Sequence, residues 1–186
     1  MMNVLLTSCG LETNVIEQAF LKMLDKEPAQ IKAMFIPTAA IHPDAIEVLP
    51  KCLNDLFKCG ILRENIAIYD LHDDVDTDLS ETYDVIYLCG GDPYYLLKRV
   101  RERGFDKKLE SFIKHGGVIV GVSAGSMIFA DDMPDNLGLL QCALDVHCSK
   151  DICEKAGHYS LSRKERIRLG NEQAIVFEKD YLVIIE

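Results

Sequence analysis

The chain has 186 residues, 48% hydrophobic and 27% charged, which supplies one domain-sized core and excludes a disordered polyelectrolyte. Thirty acidic residues face 20 basic ones, for a formal net charge of −10. That balance argues against nucleic acid or an anionic membrane surface as a partner, because both are polyanions.

Apolar runs such as Val118-Ile119-Val120 fall far short of the roughly 20 residues of a membrane span. The opening Met1-Met2-Asn3-Val4-Leu5-Leu6 lacks the basic flank and cleavage site of a signal peptide, so the expected address is the cytoplasm. The seven cysteines are an odd number in a chain that is no small secreted scaffold, which predicts reduced thiols. Cys142, Cys148 and Cys153 lie near His147 and His158 but form no C-x-x-C pair, so no metal site is expected.

In chain order, residues 4–8 form a short apolar run that ends at Cys9-Gly10, the pattern of a buried strand and turn. Val15, Ile16, Ala19, Phe20, Met23 and Leu24 keep helical spacing over 14–24, and 31–36 is a second strand closed by Pro37. Pro43 and Pro50 each suit a first helical turn, predicting two short helices or one broken one, ended by Gly60. Residues 66–69 form a third strand. Beyond it Asp74, Asp76 and Asp78 imitate the opening of a calcium loop, but Leu79 and Val85 occupy the positions of its glycine and closing glutamate, so a solvated loop is expected. Strands follow at 85–88 and 118–122, with helices at about 93–103 and 105–115, and an antiparallel hairpin at 174–177 and 181–185. No repeat or linker interrupts the chain, so 1–186 reads as a single domain. Short apolar strands alternating with helices predict an α/β fold in three layers: a mostly parallel sheet, helices on both faces, and a C-terminal β-hairpin. Ligands of such sheets gather at the carboxyl ends of the strands.

Two fragments at those ends carry chemistry. Gly121-Val122-Ser123-Ala124-Gly125 is a G-x-S-x-G motif between a strand and a helical stretch, the setting of a nucleophile elbow. After the fourth strand comes Cys89-Gly90-Gly91-Asp92-Pro93, in which Asp92 suits a helix N-cap and Pro93 the first helical position. The bare amides of Gly90 and Gly91, with that of Ala124, are candidates for an oxyanion hole. Neither a P-loop signature nor a G-x-G-x-x-G after a strand is present, so no cofactor is expected.

The two fragments together resemble the peptidase E (aspartyl dipeptidase) family of serine peptidases, to which cyanophycinase is related. Leu5-Leu6-Thr7-Ser8 and Phe35-Ile36-Pro37-Thr38-Ala39 fit the same family, and the resemblance covers about residues 1–150. It implies a class I glutamine amidotransferase-like fold, with serine in place of cysteine, and hydrolysis of small peptides by a Ser-His-Asp/Glu triad. Carried over by residue, Ser123 matches the nucleophile. Asp132, before Met133-Pro134, matches the acid, with Asp131 and Asp135 as neighbours that could serve instead. His147, in Leu144-Asp145-Val146-His147, matches the base, and His158 is its rival; His42, His72 and His115 are weaker candidates. The family commonly has asparagine where this chain has Asp92. A preference for N-terminal aspartate would need a basic group in the pocket, and Arg163, Lys164, Arg166 and Arg168 are close in sequence to His147. The expected partner is a small peptide, and a homodimer is expected on general frequency alone. An esterase or amidase on the same fold, or an inactive binding homologue, are the alternatives.

Overall fold

The computed structural model describes residues 2–73 and 78–186. Its first apolar run forms β1 (Val4–Thr7), followed by α1 (Asn14–Met23), β2 (Ala33–Ile36), α2 (Pro43–Glu47), α3 (Leu49–Lys58) and β3 (Ile66–Ile68). The middle of the chain forms α4 (Leu79–Thr82), β4 (Val85–Leu88), α5 (Pro93–Glu102), α6 (Phe105–Lys114), β5 (Val118–Val122) and α7 (Ala124–Met127). The last third is β6 (Leu144–Cys148), β7 (Gly157–Ser160), β8 (Ile167–Gly170), β9 (Ala174–Phe177) and β10 (Tyr181–Ile185). Asp74 and Asp76 of the calcium-like stretch lie outside the described residues; Asp78 caps α4, accepting from the Ser80 N–H at 2.9 Å.

The eight-stranded sheet has the order β3-β2-β4-β5-β1-β9-β10-β7. From β3 to β1 the strands are parallel; β9, β10 and β7 continue the sheet through antiparallel pairings. β1, β2, β4 and β5 are buried along their whole length, as parallel strands covered on both faces must be. Alternate side chains divide between two cores. Val4, Leu6, Ile86, Leu88 and Ile119 pack with Leu96, Val100, Leu109 and Phe112 of α5 and α6. Leu5, Val85, Tyr87, Val118 and Val120 pack with Ile16, Phe20, Cys52 and Leu56 of α1 and α3. These are the three layers that the sequence predicts.

The helices start where their side chains can satisfy free amides. Thr13 caps α1 by accepting from the Ile16 N–H at 3.3 Å, and Asp92 caps α5 by accepting from the Tyr95 N–H at 2.9 Å. Gly60, at φ +87°, ends α3, with the Ile61 N–H turned back to the Leu56 carbonyl at 3.1 Å.

Register then sets the functional geometry. Thr7 pairs with Val122 across β1 and β5, and Leu88 pairs with Gly121 across β4 and β5. The loops leaving β1, β4 and β5 therefore emerge side by side at one edge of the sheet. Outside the main sheet, β6 and β8 form their own parallel pair, and β7 covers the edge beyond β10. Phe20 is fully buried between α1 and the sheet, so Phe20→Ala should cost about 3–5 kcal/mol. Urea unfolding should show a lower midpoint with an unchanged slope.

Candidate active site

Ser123 follows β5 directly and takes φ 50° and ψ −110°, a conformation that costs a non-glycine residue of order 1–3 kcal/mol. Small neighbours make the turn possible. A Cβ on Gly125 would lie 2.3 Å from the Leu88 carbonyl oxygen, and one on Gly121 would lie 2.6 Å from the Gly125 carbonyl oxygen. This is the physical content of G-x-S-x-G here: the strand, the turn and β4 approach more closely than any side chain allows. β1 fixes the turn from the other side. The Thr7 carbonyl accepts from the Ser123 N–H at 3.0 Å and from the buried Ser126 Oγ at 2.8 Å.

The helix after the serine is shorter than the sequence suggests. α7 spans one turn, and Phe129 and Ala130 bond back by three residues to Ser126 and Met127. The Leu137 and Leu140 amides then pair with the Ile128 and Phe129 carbonyls, so the chain folds back on itself instead of extending the helix. A single turn carries little macrodipole, and local amides dominate the field at Ser123.

Ser123 and His147 meet. Ser123 Oγ and His147 Nε2 are 2.9 Å apart. His147 sits in an irregularity of β6, where three steps from Asp145 to Cys148 oppose two from Arg168 to Gly170, and its φ is 58°. A bulge re-aims a side chain in this way. The His147 N–H donates to Ser8 Oγ at 2.8 Å, which ties the bulge to the end of β1.

Asp132 does not reach the imidazole. Its carboxylate lies 3.6 Å from Arg166 NH1, and the group 3.0 Å from His147 Nδ1 is Asn171 Oδ1. The physical reason is that the fold-back after α7 carries Asp132 towards β8, whose Arg166 flank it meets. Asp131 donates its N–H to the Cys142 carbonyl, and the Asp135 carbonyl accepts from Arg101; among the described residues the ring nitrogens of His147 bond to Asn171 and Ser123 and to neither carboxylate. His158 stacks edge-on against Tyr181, His72 lies beside Tyr95, His115 bonds to the Ser111 carbonyl, and His42 precedes α2.

A cavity of about 370 Å³ opens on the pair, lined by Ser8, Cys9, Asp44, Ala45, Val48, Lys51, Cys52, Gly90, Gly91, Val122, Ser123 and His147. Gly91 has φ 138°, and a Cβ there would lie 2.0 Å from the Ala39 carbonyl oxygen, so only glycine fits. Among the described residues, no backbone hydrogen bond outside helices and strands uses the N–H of Gly91 or Ala124. The carboxylate of Asp92 accepts from the Tyr95 N–H as the cap of α5, and Asp92 is not among the residues that line this cavity. Lys51 is the cation of the wall and is bonded to Glu12. The arginines expected here lie elsewhere: Arg163 pairs with Glu154, and Arg166 and Arg168 both pair with Asp145. Lys164 lines a separate shallow hollow with His158.

Behind the wall, Asp55 accepts from the Leu11 N–H at 3.0 Å and from the Tyr87 hydroxyl at 2.9 Å, holding the loop that carries Ser8 and Cys9. Burial pushes the Asp55 carboxyl above its usual range, and burial likewise pushes the Cys9 thiol up, which makes Cys9 a poor nucleophile. All seven cysteines are free thiols, and no group of three or more metal-ligating side chains occurs among the described residues.

Ser8 and Asn171 escaped the sequence reading. Ser8 had a signal, a second polar residue after Thr7 closing the apolar run Val4-Leu5-Leu6, and the structure buries it fully. Asn171 had none, since an exposed asparagine beside a glycine reads as an ordinary turn.

A serine on a strained strand–turn–helix elbow, bonded to a histidine at the carboxyl edge of a parallel sheet, is the arrangement of a serine hydrolase. The chain belongs to peptidase family S51, whose model matches residues 4–140. It is 26% identical over 167 residues to peptidase E of Shigella sonnei and of Escherichia coli O6:H1, covering 82% of this chain and 70% of each relative. In fold it is similar to a candidate peptidase E protein from Listeria monocytogenes EGD-e, with a TM-score of 0.77, 18% identity, and coverage of 100% and 98% of the two chains. A peptidase from an acI-B1 actinobacterium gives a TM-score of 0.64 at 16% identity, covering 98% of this chain and 86% of that one.

If Ser123 is strained for function, relieving it should stabilise the protein. Ser123→Gly should raise the melting temperature, by an amount equivalent to about 1 kcal/mol, while removing the hydroxyl that faces His147. Gly125→Ala should lower it, because the new methyl meets backbone.

Proposed function

We propose that the protein is a serine peptidase acting on short peptides through an acyl-enzyme. The observation that carries this reading is the 2.9 Å contact between Ser123 Oγ and His147 Nε2 on the strained turn. In the proposed mechanism Ser123 Oγ attacks the scissile carbonyl carbon while His147 Nε2 takes its proton. The negative charge that develops on the carbonyl oxygen is held by the N–H groups of Gly91 and Ala124, with Gly90 keeping the approach open. Collapse expels the amine, which leaves with the proton from His147. Water, deprotonated by the same ring, then hydrolyses the ester on Ser123.

The cavity favours a small substrate. At about 370 Å³ it is near the lower end of the roughly 300–1,000 Å³ of small-molecule sites, which suits a dipeptide better than a folded chain. An N-terminal aspartate is the preference to test first, with Lys51 as its partner: a substrate carboxylate would exchange with Glu12 on the Lys51 ammonium. Free thiols throughout fit a reducing compartment, and no helix among the described residues is long and apolar enough to cross a membrane.

Steady-state hydrolysis of a dipeptide panel tests this reading. Ser123→Ala and His147→Ala should each lose activity by at least about a thousandfold. Lys51→Met should lower kcat/KM for Asp-Leu by roughly tenfold, the scale of one charged hydrogen bond, and leave Ala-Leu nearly unchanged. Activity on p-nitrophenyl esters with none on any dipeptide would replace the peptidase with an esterase.

A further inference from the structure

His147 has two ring nitrogens and two partners: Ser123 Oγ at Nε2 and Asn171 Oδ1 at Nδ1. An amide oxygen carries no hydrogen, so the nitrogen facing it must donate. The proton is then on Nδ1, and the lone pair of Nε2 faces the serine, the one neutral tautomer that can act as a base there.

Asn171 is held for this task. It lies in the turn from β8 to β9, closed by the Gln173 N–H donating to the Gly170 carbonyl and the Gly170 N–H donating to Gln173 Oε1, both at 3.0 Å. Gln173 is buried, and its Nε2 donates to the Glu154 carbonyl at 2.7 Å and to Glu186 Oε2 at 3.0 Å. The Gln173 carbonyl accepts from the Ser8 N–H at 3.2 Å, and Ser8 Oγ accepts from the His147 N–H. Ser8 thus joins the backbone of the histidine to the turn that carries its partner. The neighbouring carboxylates are engaged elsewhere: Asp132 with Arg166, Asp145 with Arg166 and Arg168, and Glu172 with Lys150.

We propose that Asn171 is the positioning residue of His147, a neutral amide that selects the tautomer but supplies no charge to the imidazolium formed during catalysis. A carboxylate at this position would do both. Asparagine is also a weaker selector, because its amide can turn its NH₂ towards the ring and hold the opposite tautomer. The kinetic part of this proposal rests on the serine-peptidase reading; the tautomer does not.

The test is nitrogen NMR of protein carrying ¹⁵N-histidine, at a pH where the ring is neutral, with His147 assigned through His147→Gln. The expected result is a hydrogen on Nδ1 in the wild type and a shift towards the Nε2–H form in Asn171→Ala. A wild type protonated on Nε2, or an Asn171→Ala variant unchanged from it, overturns the proposal. Kinetics with p-nitrophenyl acetate and Asp-Leu give the second readout. Asn171→Ala should lower kcat at least about tenfold with KM within about twofold, and Asn171→Asp should raise kcat above the wild type. An Asn171→Asp rate at or below the wild type overturns the proposed lack of charge. A wild type that turns over neither probe would count against the peptidase reading, while the NMR result would still decide the role of Asn171.

Discussion

The Thr7 carbonyl oxygen accepts hydrogen bonds from the Ser123 N–H and from the buried Ser126 Oγ, and the site depends on this junction. Thr7 ends β1, and its register partner Val122 ends β5. The strand ends are therefore locked together at the residue where the chain must turn sharply. The Thr7 hydroxyl adds a bond to the Gly121 carbonyl at 3.0 Å and accepts from the Gly10 N–H at 3.0 Å. One residue further, Ser8 holds His147 and the turn of Asn171. Two consecutive polar residues at the end of an apolar strand thus fix the serine, the histidine and its partner.

That rigidity explains how two strained residues can persist. Ser123 and His147 both have positive φ, and neither is glycine. Each such conformation costs of order 1–3 kcal/mol and lasts only where surrounding contacts over-determine it. For Ser123 the contacts are the Thr7 carbonyl and the close approach of Gly125 to β4. For His147 they are the bulge opposite β8, the bond to Ser8 and two ring contacts.

Most of the main sheet was legible because its strands are buried on both faces and read as continuous apolar runs between glycines and prolines. The elbow was legible for a related reason: Gly121 and Gly125 are required by backbone approach, so the requirement is written in the sequence. The third partner of the histidine was not. Asp132 was the natural expectation from its place before Met133-Pro134, but the chain folds back after α7 and delivers it to Arg166. Asn171 reaches His147 only because β8 pairs with β6 out of step, and a register shift leaves no local signature. β7 was missed for a simpler reason: Gly157-His158-Tyr159-Ser160 is a half-exposed edge with almost no apolar pattern.

The central claim is that Ser123 is an activated nucleophile. Its most direct test is reaction of the purified protein with a fluorophosphonate probe, followed by mass-spectrometric mapping of the adduct. The account predicts a single adduct on Ser123, which His147→Ala slows sharply without unfolding the protein. A well-folded wild type that takes up no probe, or takes it up at another residue, would contradict it.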